Sequence, residues 1–304
     1  MSEPLAYLNG WISASQAVVP VYDAGFIQGA TVSEQLRTFS GRLFQLESHL
    51  ARLARSLAIV GIEPGLPLDE LSRIATELVA HNHRRLAAGD DLGLSMFVTP
   101  GPYATLAPRS SGGPTIGLHT YPLPFRLWAG KYQRGETLVV PDVRQVPADC
   151  WPPELKCRSR MHYYLAEQQA AEISPGARAL LVDAAGFVTE TSTSNLLVYR
   201  ADQGLISPRR ERILPGISLQ LVADLAQQRG IPFAERDLRA DVVATADEVL
   251  LTSTPSCLLP VTCFDGQAIG DGQPGPIFAR LLAAWNEQVG IDIARQAREF
   301  QDRA

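Results

Sequence analysis

We begin with the stretch Leu155-Lys156-Cys157-Arg158-Ser159-Arg160-Met161-His162-Tyr163-Tyr164-Leu165-Ala166, because it holds one of only two lysines in the chain. The other lysine is Lys131. Most of the positive charge is arginine, which stays protonated and cannot act as an amine nucleophile. If this protein works through a lysine amine, Lys131 and Lys156 are therefore the only candidates.

The surroundings of the two lysines differ. Lys156 follows Trp151-Pro152-Pro153-Glu154, a proline-restrained segment that we expect to be extended and to lead into a helix over residues 160–172. Lys131 lies between Gly130 and Gly135, in a polar stretch typical of a connector. A lone lysine is most often a solvated surface charge, and GC-rich coding alone also makes lysine scarce. Other features of the chain must distinguish these interpretations.

Length and composition are those of an ordinary globular protein. The 304 residues are enough for two domains, with 46% hydrophobic and 19% charged residues. The net charge of -5 gives no reason to expect nucleic acid or an anionic membrane as partner. We find no apolar run of the roughly 20 residues that a membrane span needs. The first residues lack the pattern of a signal peptide, so we predict a cytoplasmic protein.

The potential metal ligands lack metal-binding spacing. His81 and His83 lie in a polar stretch, where a solvated turn is the better interpretation. The four cysteines are scattered, and we interpret them as reduced thiols of a cytosolic protein. They are Cys150, Cys157, Cys257 and Cys263. We predict no metal site.

Strand and helix signals alternate in the first part of the chain. Residues 5–12 predict a hairpin that turns at Asn9-Gly10, and residues 31–39 favour a strand. A helix is predicted from about Glu47 because apolar residues recur at helical spacing. These residues are Leu46, Leu50, Leu53 and Leu57.

Proline and turn residues around Tyr121-Pro122-Leu123-Pro124 mark the clearest boundary. We predict a small N-terminal α+β domain at 1–122, an interdomain linker at 123–135 and a larger C-terminal domain at 136–304. The second half alternates strands with helices, including a helix at 217–228 that Gly230 closes. The predicted fold class is α/β, in the sense of an α+β protein with two domains.

Three features of the second half suit an anionic or polar ligand. Glu190 ends a strand in a hydroxyl-rich turn, although an exposed strand-end acid is the simpler interpretation. A helix begins near Gly216, and the N–H groups of Ile217 and Ser218 form an anion site, as at any helix start. Thr254 follows a buried strand, at a position where ligands gather in α/β folds but where plain turns use the same residues.

The order of these features resembles the class IV aminotransferases, the fold type IV pyridoxal phosphate enzymes. The resemblance spans nearly the whole chain, from about Asp23 to Gly290, and each of its motifs alone is weakly specific. The motifs are Asp23-Ala24-Gly25-Phe26, Glu34-Gln35-Leu36-Arg37, His49-Leu50-Ala51-Arg52-Leu53, Leu155-Lys156, Glu190 with Asn195, Ile213-Leu214-Pro215-Gly216-Ile217-Ser218 and Thr252-Ser253-Thr254. Seven motifs in the family's order are strongly specific.

The resemblance implies roles for individual residues. Lys156 matches the Schiff-base lysine of the cofactor, pyridoxal 5'-phosphate, and Glu190 matches the partner of its pyridine nitrogen. Lys131 falls in the connector and is interpreted as a surface residue. The resemblance also implies at least a homodimer. The residues that match the phosphate contacts are Arg52, Ile217, Ser218 and Thr254.

The sequence departs from the family where substrates are recognised. Branched-chain enzymes follow the lysine with small residues and Asn-Tyr, whereas this chain has tyrosines only at Tyr163 and Tyr164, so a contact of either with the cofactor stays open. Pro100 replaces the arginine of a frequent Thr-Arg-Gly motif, and Gln28 replaces a pocket tyrosine. No Arg-x-His motif of the D-amino acid enzymes occurs near Pro108-Arg109-Ser110.

We therefore expect an aminotransferase that moves an amino group between a branched-chain-like or D-amino acid and a 2-oxo acid through Lys156. Arg160, four residues after the lysine, resembles the arrangement of aminodeoxychorismate lyase, which releases pyruvate. That lyase is the alternative function, and a non-catalytic binding protein on the same scaffold is a third. The donor, the acceptor and the chirality of the substrate carbon stay open.

Overall fold

The structure is a computed structural model and describes residues 3–108 and 112–303. The chain forms two compact units: Met1–Leu123 with Leu155–Ser159, and Pro124–Glu154 with Arg160–Ala304. We call them the N-terminal unit and the C-terminal unit. The domain limits drawn above stay a prediction, and they differ from this division chiefly in Leu155–Ser159, which groups with the first unit.

The described part of the N-terminal unit combines six strands with three helices. They are β1 (Leu5–Leu8), β2 (Trp11–Ser13), α1 (Ala24–Ile27), β3 (Val32–Phe39), β4 (Arg42–Leu43), α2 (Leu46–Val60), α3 (Leu68–His83), β5 (Leu92–Thr99) and β6 (Thr115–Pro122), with a 3-10 turn at Ala14–Gln16. The sheet has the antiparallel order β2-β1-β6-β5-β3-β4. The predicted hairpin is confirmed, since Tyr7 pairs with Trp11 and Asn9 adopts a φ of 52° in the turn.

One face of this sheet carries the core of the N-terminal unit. Leu50, Leu53 and Leu57 of α2 are buried against it, which confirms the predicted helical stripe. Leu71 and Leu78 of α3 join the same cluster. The opposite face therefore remains available for polar side chains of β3, β5 and β6, because successive strand residues point to opposite faces.

The C-terminal unit combines nine strands with six helices among the residues described. They are α4 (Lys131–Arg134), β7 (Glu136–Val139), α5 (Met161–Ile173), β8 (Arg178–Val182), β9 (Val188–Thr191), β10 (Asn195–Arg200), β11 (Gly204–Pro208), α6 (Ile217–Gln228), β12 (Phe233–Arg236), α7 (Ala240–Ala244), β13 (Glu248–Ser253), β14 (Cys257–Phe264), β15 (Gln267–Ala268), α8 (Pro276–Val289) and α9 (Ile293–Glu299). Two 3-10 turns lie at Phe125–Leu127 and Arg210–Arg212.

The strands of the C-terminal unit run in the order β12-β11-β10-β13-β14-β7-β8-β9, with β15 beside β14. Strand β9 also pairs with β10 through Glu190 and Asn195, so this path closes on itself. Leu180, Leu196 and Leu251 lie in the resulting apolar core. The closure holds Glu190 directly opposite Asn195.

The predicted helices of the second half are confirmed at α5 and α6, to within a residue or two. The connector region is more ordered than its composition indicates, because Lys131 begins α4. Across residues 3–108 and 112–303, none of the helices is both long enough and apolar enough to cross a bilayer.

Candidate active site

Lys156 lies on a short extended segment that runs along the start of β3. The backbone N–H of Ser33 donates to the Lys156 carbonyl at 3.0 Å, and Cys157 forms an antiparallel bridge with Val32. The Lys156 N–H donates to the Ser56 hydroxyl of α2 at 3.2 Å. The backbone of Lys156 is therefore fixed by β3 and α2, and the helix expected after it, α5, begins at Met161.

The second lysine has a different environment. Lys131 Nζ lies 3.1 Å from a carboxylate oxygen of Glu136, which is buried, while about a third of the Lys131 side chain is exposed. The partial exposure agrees with its interpretation as a surface residue, and the amine pairs with the Glu136 carboxylate. Lys131 forms a structural ion pair.

Glu34, His49 and Arg52 form a buried cluster in the N-terminal unit. Arg52 donates from Nε and Nη2 to the two Glu34 oxygens at 2.7 and 2.8 Å, and His49 Nδ1 lies 2.7 Å from Oε2. Helical spacing places His49 and Arg52 on neighbouring positions of α2, opposite β3. This bidentate ion pair between Arg52 and Glu34 fixes the orientation of the Arg52 guanidinium.

Electrostatics favours a charged carboxylate in this cluster. Burial alone would raise the pKa of Glu34, but the hydrogen bonds and charge of Arg52, assisted by His49, lower that pKa to about 2. Burial lowers the pKa of His49, Glu34 opposes this effect, and the charges of Arg52 and Lys156 add to it. Near pH 7 a neutral His49 therefore donates from Nδ1 to an ionised Glu34.

Glu190 is held by three donors in the C-terminal unit. The Tyr163 hydroxyl donates to Oε1 at 2.8 Å, while Asn195 Nδ2 and the Leu214 N–H donate to Oε2 at 2.9 and 3.3 Å. Glu190 is 8% exposed. Its interpretation as an exposed strand-end acid is wrong, because the pairing of β9 with β10 buries the carboxylate.

The two tyrosines of α5 have different surroundings. Tyr163 donates to Glu190 and accepts from Gln145 Nε2 at 3.0 Å, whereas Tyr164 is 62% exposed. Burial raises the pKa of the Tyr163 phenol well above its usual value, and the Glu190 charge adds to this effect. The Arg160 guanidinium lies 4.5 Å over the Tyr163 ring. Tyr163 is therefore the tyrosine that belongs to the Glu190 cluster.

The start of α6 is joined to the Glu190 cluster through Asn195. Asn195 Nδ2 also donates to the Leu214 carbonyl at 2.9 Å, and a Cβ at Gly216 would lie only 1.9 Å from Asn195 Oδ1. Gly216 is the N-cap residue of α6 and provides no side-chain cap, so the first N–H groups of the helix, including those of Ile217 and Ser218, suit an anion.

Thr254 lies in the turn between β13 and β14. Thr252, two residues before it, pairs with Asn195 across the sheet. This register brings the end of β13 beside the strand that carries Asn195. The structure thus gathers the Glu190 carboxylate, the start of α6 and the end of β13 in one region of the C-terminal unit.

These residues fit the chemical demands of pyridoxal phosphate. The C-terminal unit offers a buried carboxylate held in place by three hydrogen bonds and a helix start without a side-chain cap. The N-terminal unit offers an amine on a fixed backbone, at Lys156, and an oriented guanidinium, at Arg52. Sequence reasoning missed Glu34 as the partner of Arg52, and Gln145 and Leu214 as further members of the clusters.

The positions of the sequence departures are partly described. Gln28 is the exposed C-cap residue of α1, and Pro100 follows the end of β5. Of Pro108-Arg109-Ser110, where no Arg-x-His motif was found, Arg109 and Ser110 lie outside the described residues.

Comparison with known proteins agrees with this geometry. Residues 31–264 match the family described as Amino-transferase class IV. The chain is 32% identical over 285 residues to a D-alanine aminotransferase of Bacillus licheniformis, which covers 92% of this chain and 95% of that protein. It is 31% identical over 277 residues to a putative branched-chain-amino-acid aminotransferase of Methanocaldococcus jannaschii, covering 90% of this chain and 93% of that protein.

Among solved structures, the branched-chain amino acid aminotransferase of Escherichia coli superposes with a TM-score of 0.86, at 22% identity and 94% coverage of both chains. This likeness confirms the predicted fold class. The chain belongs to the class IV aminotransferase family. It is an enzyme of the transaminase class, and these relatives favour neither the pyruvate-releasing lyase nor a non-catalytic protein.

Proposed function

We propose that this enzyme uses pyridoxal 5'-phosphate to move an amino group between an amino acid and a 2-oxo acid, with Lys156 as the lysine that binds the cofactor. The observation that carries the proposal is the placement of the two lysines. Lys131 is held by the buried Glu136, whereas Lys156 lies on a backbone segment fixed by β3 and α2. The resemblance of the sequence matched Lys156 to the Schiff-base lysine, and these surroundings also favour Lys156.

Pyridoxal phosphate, when bound, supplies an aldehyde that combines with amines and a ring that accepts the electrons released at the substrate α-carbon. Lys156 Nζ binds the cofactor and then takes and returns the α-proton. Glu190 accepts a hydrogen bond from the protonated ring nitrogen and favours its charge. Tyr163 and Asn195 keep the Glu190 carboxylate in the required orientation.

The phosphate is assigned to four groups of this chain. The N–H groups of Ile217 and Ser218 lie at the N-terminus of α6, which has no side-chain cap. Thr254 directly follows β13, and the Arg52 guanidinium is oriented by Glu34. Backbone N–H groups at a helix start and an oriented guanidinium are the usual partners of phosphate in proteins.

The amino donor is assigned to two classes, D-alanine-like and branched-chain amino acids. The support comes from the two curated relatives above, whose names specify one class each at nearly equal identity. A screen of D- and L-amino acids with pyruvate and 2-oxoglutarate as acceptors distinguishes the classes. A strong preference for one enantiomer of the amino donor would assign the enzyme to one of these two donor classes.

The role of Lys156 is tested with Lys156→Ala beside Lys131→Ala. Purified Lys156→Ala should lose the absorbance at about 410–430 nm that a cofactor joined to a lysine gives, together with turnover. Lys131→Ala should keep both, because its amine is engaged by Glu136. Retention of the band and of turnover in Lys156→Ala would refute the proposal.

We also infer a homodimer in the cytoplasm. Large apolar side chains are exposed on one side of α5, at Met161, Tyr164 and Leu165, which supports a further protein contact there. All four cysteines are free thiols in the structure, which supports a reducing compartment. Light scattering of the purified enzyme at several concentrations tests the first inference, and fractionation of the source cells tests the second.

A further inference from the structure

The face of the N-terminal sheet opposite its apolar core carries a group of polar side chains. Their positions follow from strand register: Arg37 pairs with Gly93, which pairs with Tyr121, and Ser95 pairs with His119. Alternating residues of a strand share a face, so Ser95 lies on the same face as Gly93. We call Arg37, Ser95, His119, Tyr121 and the nearby Arg158 the cationic face.

Gly93 makes room for the Tyr121 ring. A Cβ at Gly93 would lie 2.2 Å from Tyr121 Cζ and 2.6 Å from its hydroxyl oxygen. The tyrosine therefore lies across β5, with its hydroxyl above the residue that pairs with Arg37. Arg37 is fully buried, and its guanidinium carbon lies 4.1 Å over the Phe39 ring.

Arg158 reaches the same face from the Lys156 segment. Its Nη2 donates to the Ser95 hydroxyl at 2.7 Å, and its backbone N–H donates to the Thr31 carbonyl at 2.8 Å. Burial raises the pKa of Tyr121, while the charges of Arg158 and Arg37 both oppose that rise. Two permanent positive charges therefore act on one phenol.

The chemistry of these groups specifies an anion. Burial lowers the pKa of His119, and the Arg158 charge lowers it further, so His119 stays neutral at pH 7. The exposed Arg158 guanidinium and the half-buried Tyr121 hydroxyl then present hydrogen-bond donors on one face, while the fully buried Arg37, whose Nε donates to the Thr38 carbonyl, adds positive charge. A guanidinium matches the two oxygens of a carboxylate in geometry as well as in charge.

We propose that the cationic face binds the carboxylate of the substrate, and that Arg158, two residues after Lys156, determines the preference for amino acids and 2-oxo acids over amines without a carboxylate. This assignment rests on the proposed function. Arg158 is exposed, so replacing it leaves the core unchanged.

The experiment compares two reagents with the same aminooxy group, aminooxyacetate with a carboxylate and methoxyamine without one. Both remove the absorbance band of the cofactor-loaded enzyme, and their second-order rates are measured on the wild type and on Arg158→Met. Losing a charge-assisted hydrogen bond should lower the rate with aminooxyacetate by about 10- to 100-fold. The rate with methoxyamine should change by less than about threefold, since it makes no such contact.

Two further variants separate recognition from general charge. Arg158→Lys should recover part of the rate with aminooxyacetate, because lysine restores the positive charge but cannot donate to both carboxylate oxygens as a planar guanidinium does. Arg84→Met removes an equally positive, exposed side chain at the end of α3 and should behave as wild type. The assignment of Arg158 would be overturned if Arg158→Met slowed both reagents equally, or if the ratio of the rate with aminooxyacetate to the rate with methoxyamine stayed as in the wild type. A wild-type enzyme that binds no pyridoxal phosphate would instead overturn the proposed function.

Discussion

Glu34 and Glu190 are both buried carboxylates on strands, but the groups that hold them differ in charge. Glu34 faces the guanidinium of Arg52 and the imidazole of His49, at 2.7 to 2.8 Å. Glu190 accepts from a phenol, an amide and a backbone N–H. The partners of Glu34 include a permanent positive charge, while the three donors described for Glu190 are neutral.

This difference indicates different functions for two identical side chains. A carboxylate bound by an arginine anchors that arginine, so Glu34 acts on the proposed site by positioning Arg52. A carboxylate held by neutral donors keeps a negative charge at a fixed place, where it can stabilise a cation such as a protonated ring nitrogen. The comparison predicts a stability role for Glu34 and an activity role for Glu190.

The largest expected effect is on stability, in Glu34→Gln. Removing the charge leaves Arg52 buried beside a neutral amide, which should lower the free energy of unfolding by about 3–5 kcal/mol. Urea unfolding measures this change. Glu70→Gln, in the exposed pair with Arg73, is the control and should cost less than about 1 kcal/mol. If both variants lost the same free energy of unfolding, Glu34 would contribute no more to stability than a surface acid.

Glu190→Gln should instead lower turnover, by about 100- to 1,000-fold, because it removes the negative charge that we assign to the ring nitrogen. The matched control is Glu248→Gln, because Glu248 as a residue is also 8% exposed and its carboxylate also accepts from neutral donors, the N–H groups of Ile277 and Phe278. That variant should retain turnover and lose only stability. Similar turnover in the two variants would show that Glu190 is structural.

The pH dependence of stability should reflect Glu34. Its pKa is about 2 in the folded state against 4.5 for the ordinary side chain, so its contribution is fully present above about pH 4.5. The contribution, on the order of 3 kcal/mol, is lost as the pH falls toward 2. The pKa of His49 is also lowered, which destabilises the fold in the same direction below its ordinary pKa. Between pH 7 and pH 3, the free energy of unfolding should fall less steeply in Glu34→Gln than in the wild type.

The smallest effect is expected in Tyr163→Phe. Losing one hydrogen bond to the charged Glu190 carboxylate should cost about 1.5–3 kcal/mol of stability. The affinity for pyridoxal phosphate should fall by less than about tenfold, since Asn195 and Leu214 still hold the carboxylate. Titration of the cofactor band measures the affinity, and Tyr164→Phe, at the exposed neighbour, serves as the control. An effect of Tyr164→Phe as large as that of Tyr163→Phe would contradict the assignment.

Local patterns of the sequence predicted the local elements. The leucines of α2 and the Asn9 turn depend on neighbours within a few residues, and both are confirmed. The contacts that define the clusters are not local. Lys156 bonds to Ser56 across 100 positions, and the backbone N–H of Leu214 is a donor that no side-chain motif reveals.

The two adjacent tyrosines of α5 show a second limit of prediction from sequence. Tyr163 and Tyr164 lie about 100° apart around the α5 axis, so one can face Glu190 while the other faces solvent. The sequence gives both the same propensity and the same neighbours. Only the packing of α5 against the strands distinguishes them, and this packing places Tyr163 beside Glu190.

The most direct measurement of the central proposal locates the cofactor on the chain. The enzyme loaded with pyridoxal phosphate is reduced with sodium borohydride, digested with trypsin and analysed by mass spectrometry. Cleavage after arginines separates the two lysines, since a modified Lys156 lies in residues 145–158 and a modified Lys131 in residues 127–134. We predict a pyridoxyl phosphate adduct on residues 145–158 alone. An adduct on residues 127–134, or none at all, would contradict the assignment of Lys156.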